Sequence, residues 1–356
     1  MTSRIDRAKT RLEQLGLDAF LVSSLTNIRY LFGFTGSNAI ALITSGLCFL
    51  VTDSRYREQA ARQVDGAEVL IAKRDLLLEL KKRNVLKTGA RLAIEVQHLN
   101  VKDFNHLKKL LPEVKIIASE RIVENIASVK DADEVESIKQ AAAICCKVIS
   151  EIYALIEPGV LELEVSAELS YRTKMHGSET DPFEPIVASG LRSALPHGVS
   201  SKKPIEAGDL IVLDFGAVVN GYAADFTRTV VVGDPTVRQQ ELGRAVQKAL
   251  LVSAQQARPG LSGKELDKIA RDCLQQAGLG SAFLHSLGHG LGLEVHELPR
   301  ISQHSQDKLQ AGNVITLEPG VYLSDVGGIR IEDDFLVTNH GVENLTPFPR
   351  EMVGVG

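Results

Sequence analysis

A chain of 356 residues can hold two domains, and 44% hydrophobic with 24% charged residues is an ordinary core-forming composition. A formal net charge of -5, with no basic run longer than Lys81-Lys82-Arg83, offers no cationic field to nucleic acid. The longest mainly apolar stretch, residues 39–51, is broken by Thr44-Ser45-Gly46 and is too short to cross a bilayer, and the start Met1-Thr2-Ser3-Arg4 lacks an apolar signal core. The four cysteines, Cys48, Cys145, Cys146 and Cys273, have neither metal-knuckle spacing nor the density of a disulfide framework. They read as structural thiols in a reducing cytoplasm, with neither nucleic acid nor membrane as a partner.

In chain order, an amphipathic helix is predicted over residues 5–15, stopped by Gly16, then a strand at Phe20-Leu21-Val22, a strand over 47–52 and a charged helix from Asp53. This is the pattern of a small α/β domain. Residues 119–133 turn polar, and a long helix over 134–156 follows, with apolar Val135, Ile138, Ala142 and Val148 on one face. The boundary is placed there, giving domains 1–125 and 126–356. The second part carries a faint repeat at one fixed offset: Pro158-Gly159-Val160 matches Pro259-Gly260-Leu261, Glu164-Val165 matches Glu265-Leu266, and Gly177 matches Gly278. Two halves, each a long helix followed by a Pro-Gly turn and a second helix closed by glycine, would pack on one shared sheet.

Leu210-Ile211-Val212-Leu213-Asp214-Phe215-Gly216 is a strand-like run holding one carboxylate, a costly placement unless the charge is paired or ligates a metal. A second strand, residues 222–232, holds Asp225. Asn220-Gly221 between them signals a two-residue hairpin, which pairs Val219 with Tyr222, Asp214 with Thr227 and Gly216 with Asp225. Asp214 and Asp225 then become diagonal neighbours on one face, roughly 7–8 Å apart at the backbone. Glu318 follows Val314-Ile315-Thr316-Leu317, and Glu332 lies in Ile329-Arg330-Ile331-Glu332-Asp333-Asp334. A turn centred near Asp325 sets these two opposite each other, unless Pro319 or Gly327-Gly328 introduces a bulge. Gly288-His289-Gly290-Leu291-Gly292 brings one imidazole into a backbone free to approach closely. Four carboxylates gathered around one histidine would repel one another without compensating cations.

Asp214, Asp225, His289, Glu318 and Glu332, with the flanks Leu-Asp-Phe-Gly, Ala-Asp-Phe-Thr-Arg-Thr, Gly-His-Gly-Leu-Gly-Leu-Glu-Val-His-Glu, Leu-Glu-Pro-Gly and Ile-Arg-Ile-Glu-Asp, together resemble the pita-bread metallopeptidases. Within these the chain is similar to prolidase and aminopeptidase P. Thr26-Asn27-Ile28-Arg29-Tyr30-Leu31-Phe32-Gly33-Phe34-Thr35-Gly36 resembles the amino-terminal domain of that group.

The resemblance implies a creatinase-type α/β domain followed by a pita-bread α+β domain, with pseudo-twofold helix pairs on a curved antiparallel sheet. It also implies two divalent ions, with Asp214 on one, His289 and Glu318 on the other, and Asp225 and Glu332 shared. An oxygen-rich donor set with one nitrogen suits Mn²⁺ or Co²⁺ first, with Fe²⁺ or Zn²⁺ as alternatives. Glu318 is further implied as the proton carrier, His197 and His296 as substrate-pocket residues that stabilise the tetrahedral intermediate, His285 as a neighbour of the site, and Arg330 as the residue orienting the bridging carboxylates. Arg300 is implied as a grip for the free carboxylate of an Xaa-Pro dipeptide. The expected substrate is a short proline-containing peptide and the expected assembly a homodimer.

His296-Glu297 could open a zincin motif, but the second histidine it needs is replaced by Arg300. A creatinase-like amidinohydrolase would lack several of the five ligands. A catalytically silent pita-bread binding module and an aminopeptidase P acting on longer peptides remain the alternatives to a dipeptidase.

Overall fold

The computed structural model describes residues 3–356, which divide into two compact units, residues 3–127 and 128–356. The first unit runs α1 (Arg4–Gln14), β1 (Ala19–Val22), α2 (Leu25–Phe32), β2 (Ala39–Thr44), β3 (Cys48–Asp53), α3 (Arg57–Gln63), β4 (Glu68–Ala72), α4 (Leu76–Lys82), β5 (Arg91–Glu95), α5 (Val101–Leu110), β6 (Lys115–Ser119) and α6 (Ile122–Ala127). Its six strands form one sheet in the order β4-β3-β2-β1-β5-β6, antiparallel within β1-β2-β3 and parallel elsewhere.

Local chemistry explains the element ends. Ser3 caps α1 by accepting from the Asp6 amide, and the interrupted apolar run 39–51 is the β2–β3 hairpin, turning at the polar Thr44-Ser45-Gly46. The Asn27-Ile28-Arg29-Tyr30 motif lies in α2, capped by Ser24 and ended by Gly33 at φ 72°. Two expectations shift. Asp53 ends β3 and caps a short 3-10 turn at Ser54–Tyr56, so the charged helix begins only at Arg57. The polar stretch 119–133 contains α6, which buries Ile122 and Val123, and the chain passes between units after Ala127.

The second unit runs α7 (Ala132–Tyr153), α8 (Glu162–Met175), β7 (Ile186–Ser189), β8 (Leu210–Val219), β9 (Tyr222–Val232), α9 (Val237–Gln256), α10 (Gly263–Gln276), β10 (Gly288–Gly290), β11 (Glu297–Ile301), β12 (Val314–Leu317), β13 (Gly320–Leu323), β14 (Gly327–Arg330), β15 (Asp333–Thr338), β16 (Gly341–Asn344) and β17 (Gly354–Val355). α7 starts two residues earlier than the apolar pattern suggests. Asp131 accepts from the Glu134 amide, and the Glu134 carboxylate accepts in return from the Asp131 amide.

The repeat is structural as well as sequential. α8 and α10 are each 14 residues long and keep the offset that relates Pro158-Gly159 to Pro259-Gly260. The residue before each helix makes an antiparallel bridge, Leu161 with Pro204 and Ser262 with Lys308. α7 and α8 bury Ile138, Val148, Val165 and Leu169 against Leu213, Phe215 and Phe226 of β8 and β9, while α9 and α10 bury Leu242, Leu250, Leu266 and Leu274 against Ile315, Leu317 and Phe335 of β12 and β15. The expected shared sheet is in fact two sheets, β17-β9-β8-β7 and β11-β10-β12-β15-β16, with β13-β14 as a separate ribbon. They meet at a backbone bridge, where the Glu332 amide donates to Thr227 O at 3.1 Å. The β17–β9 pair is parallel, so the first sheet is not wholly antiparallel.

Candidate metal centre

Asp214 and Asp225 lie within one continuous hairpin ladder, whereas His289, Glu318 and Glu332 stand where a ladder is interrupted or ends. The β8–β9 hairpin closes on Asn220 and Gly221, both at positive φ, and its register pairs Val219 with Tyr222, Asp214 with Thr227 and Gly216 with Asp225. Asp214 and Asp225 therefore share a face, as the Asn-Gly turn demands. The opposite hairpin keeps one register centred on Asp325 throughout: Leu323 pairs with Gly327, Gly320 with Arg330, Leu317 with Asp333 and Val314 with Leu336. Glu318 and Glu332 are opposite one another in that register, with no bulge. They lie where the two strands part. Glu318 donates its amide to Leu287 O at 2.8 Å and Glu332 donates to Thr227 O, so each belongs to a neighbour's ladder.

The three glycines around His289 serve close backbone packing. A Cβ at Gly288 would meet Thr316 O at 2.1 Å, at Gly290 Leu298 O at 2.1 Å, and at Gly292 the Glu297 carboxylate at 2.6 Å. His289 Nδ1 lies 3.1 Å from Gly290 O. Burial, reinforced by His296, lowers the His289 pKa to about 4, so the ring is neutral. A carbonyl only accepts, which places the proton on Nδ1 and leaves the Nε2 lone pair facing Glu318 Oε1 at 3.5 Å and Asp225 Oδ2 at 3.7 Å.

Burial is the first cause of every carboxylate shift here. It raises Asp225 well above the usual range with Glu332 and Asp214 adding to it, raises Glu318 likewise with Glu332, and brings Glu332 to about 8 with Asp214. Glu332 accepts from the Thr227 hydroxyl at 2.6 Å, but Asp214 Oδ1 and Asp225 Oδ1 are buried without a hydrogen-bond partner. One ligand atom each from Asp225, His289 and Glu332 lies within 4.8 Å of the others. Unfilled carboxylate lone pairs, an excess of negative charge and a neutral imidazole presenting Nε2 make a donor set that fits divalent cations.

Around this cluster the accessory residues form a directed line. Arg330, 3% exposed, donates to Asp214 Oδ2 at 2.5 Å, to the Tyr322 hydroxyl at 2.8 Å and to Pro196 O at 3.0 Å. His285 Nδ1 is 2.8 Å from Ser286 O, and burial lowers its pKa to about 4, so Nε2 accepts from the Tyr322 hydroxyl at 2.8 Å. Its ring is 3.8 Å from Glu318 Oε2, beside the carboxylate without bonding it. The His296 ring centre lies 4.3 Å from that of His289. His197 is exposed on the turn after Pro196 and is near enough to depress both His285 and His296. Arg300 pairs with His289 across β10 and β11, which puts the two side chains on one face.

Three residues escaped the sequence reading. Tyr322 joins Arg330 to His285, Thr227 serves Glu332 with both its carbonyl and its hydroxyl, and Asp334 accepts from the Asp225 amide at 3.0 Å. Asp334 stands beside a ligand candidate, and Thr227 was already paired with Asp214 by the hairpin register, so both carried a usable signal.

Such a fold and donor set define a metal-dependent hydrolase of the two-halved kind. Residues 136–339 match metallopeptidase family M24 and residues 4–129 match the creatinase/prolidase N-terminal domain; the chain belongs to this metallopeptidase family. It is 37% identical to a Xaa-Pro dipeptidase of Pyrococcus furiosus over 99% of this chain and 100% of that one. Among solved structures, a Xaa-Pro dipeptidase from Bacillus anthracis is 37% identical with a TM-score of 0.95, covering 99% of both chains. An X-Pro aminopeptidase from Thermotoga maritima is 41% identical with a TM-score of 0.90, covering 97% of this chain and 100% of that one.

Proposed function

We propose that the chain hydrolyses the bond preceding proline in Xaa-Pro dipeptides or short Xaa-Pro peptides, with two divalent ions held by Asp214, Asp225, His289, Glu318 and Glu332. The observation that carries this reading is a cluster of four carboxylates that act on one another, three of them, Asp225, Glu318 and Glu332, beside a neutral imidazole, with Asp214 Oδ1 and Asp225 Oδ1 buried and unbonded. When bound, a pair of divalent ions supplies the electrophile and the activated water that peptide hydrolysis needs.

The chain's own groups supply the rest. Glu318, its pKa raised by burial, is suited to hold a proton and pass it to the leaving amine. His296 and His197 offer N–H donors to the developing oxyanion. Arg330 fixes Asp214 and, through Tyr322, orients His285, which burial keeps neutral beside Glu318. Mn²⁺ or Co²⁺ are the ions proposed, and a cytoplasmic homodimer is the proposed working form; metal analysis, cell fractionation and sedimentation test these parts.

His296→Ala is expected to cost about 2.7–4 kcal/mol of transition-state stabilisation, as deletion of an oxyanion donor does. Metal content should not change. Loss of metal with full turnover per bound ion would assign His296 to ligation instead.

The dipeptide reading rests on Arg300, which is exposed, shares a face with His289 and adds its charge to the burial and the His197 charge that depress His296. A planar fork suits the carboxylate that a dipeptide presents one residue past the scissile bond. The test is a panel of Xaa-Pro, Xaa-Pro-amide and Xaa-Pro-Yaa assayed with Mn²⁺ or Co²⁺ after chelation, for the parent and Arg300→Ala. The parent should prefer the free acid and the variant should lose most of that preference, by about tenfold or more. Equal cleavage of acid, amide and tripeptide by both proteins would make the chain an aminopeptidase. No cleavage of any Xaa-Pro peptide with ions bound would overturn the reading.

A further inference from the structure

No regular strand or helix carries His197, so its position depends on what grips the surrounding segment. The Gly198 amide donates to Leu195 O at 3.0 Å, closing a turn with His197 at its third position. The segment leaves the first sheet at Ser189, the last residue of β7, and comes back to α8 at Ser201. Both feet meet one side chain. Glu162, the first residue of α8 and 0% exposed, accepts through Oε1 from the Ser189 amide at 2.7 Å and hydroxyl at 2.8 Å, and through Oε2 from the Ser201 amide at 3.0 Å and hydroxyl at 2.6 Å. Arg192 extends the grip. Its Nε donates to Glu162 Oε2 at 3.1 Å, while Nη2 reaches Val199 O, two residues beyond His197. On the other side of the turn Arg330 holds Pro196 O.

A carboxylate is buried at tolerable cost only when its lone pairs are filled. Burial pushes the Glu162 pKa up, yet the Ser201 and Ser189 donors and Arg192 together hold it below the ordinary value. The repeat shows that this charge is not needed merely to start the helix. At the matching position α10 has Gly263, where a Cβ would meet Arg300 O at 2.0 Å. In both halves the first residue of the second helix meets the segment that follows an accessory histidine, His197 or His296. Only the first half makes that contact with an ionised side chain.

We propose that Glu162 is a positioning residue for His197: without touching substrate, it fixes the His197 turn through Ser189, Arg192 and Ser201. Its activity consequence rests on the peptidase reading above, whereas its structural consequence does not. Glu162→Gln keeps the shape but brings an N–H₂ group against serine donors, so one foot of the segment is released.

The test is a double-mutant cycle on an Xaa-Pro dipeptide in the metal-loaded enzyme, joined to hydrogen exchange. E162Q is expected to lower kcat by about tenfold or more with KM and metal content little changed, and E162Q/H197A should be no worse than H197A alone. Amides of residues 190–199 should exchange about tenfold faster in E162Q while those of β8 and β9 keep the parental rate. Additive losses, or unchanged exchange over 190–199, overturn the proposal. Should E162Q not fold, S201A, which removes one hydroxyl donor from the same carboxylate, takes its place with the same outcomes. If the parent cleaves no Xaa-Pro peptide the peptidase reading fails, and the exchange comparison still decides whether Glu162 holds the turn.

Discussion

Asp225→Asn is expected to remove most turnover and at the same time raise the thermal stability of the ion-free protein. Asp225 is 5% exposed, one of its oxygens has no hydrogen-bond partner, and burial together with Glu332 and Asp214 drives its pKa up. Without cations that carboxyl either holds a proton or adds its repulsion to the cluster, and a neutral amide of the same shape removes the conflict. With ions bound, the same change removes a ligand, and turnover should fall on the order of a thousandfold. Thermal unfolding after chelation, metal analysis and kcat are the three readings. Parental metal content and turnover would take Asp225 out of the centre. An ion-free variant less stable than the parent would mean that something other than ions already compensates this charge.

Arg330→Met should weaken the ion-free fold by about 3–5 kcal/mol, the usual consequence of removing one partner from a buried ion pair. Arg330 has several acceptors at once, and its loss strands Asp214 Oδ2 and Pro196 O, while the Tyr322 hydroxyl keeps only its bond to His285. Bound ions should shrink the deficit, because they give Asp214 a second source of positive charge. Urea unfolding with and without Mn²⁺ measures both values. A loss under about 1 kcal/mol without ions would show Asp214 to be stable unpaired.

The five ligand candidates were legible because each depends on a local signal. Asn220-Gly221 sets the register that aligns Asp214 with Asp225, and the even spacing about Asp325 does the same for Glu318 and Glu332. The glycines flanking His289 mark close backbone approach, which the packing against Thr316 and Leu298 requires. Tyr322 and Glu162 were not legible. Tyr322 matters only because a β-ribbon brings it under Arg330 and next to His285, and Glu162 because Ser189 and Ser201 arrive from 27 and 39 positions further along the chain. No periodicity records such meetings. The division of the expected single sheet into two has a similar origin: Glu318 and Glu332 turn their amides toward Leu287 and Thr227, an outcome of tertiary docking that strand propensity does not encode.

The Thr227–Glu332 bridge also orders the folding of the second unit. Its two residues are 105 positions apart, whereas the two carboxylates of each hairpin are joined by a short local turn. Contacts closing long loops form late, after the local ones. Each hairpin therefore matures with two carboxylates, still facing water that screens them, and all four meet only when the halves dock. The electrostatic cost of the site falls on that final step, and so does the free energy of ion binding, which acts by retarding unfolding and leaves the early, local steps untouched.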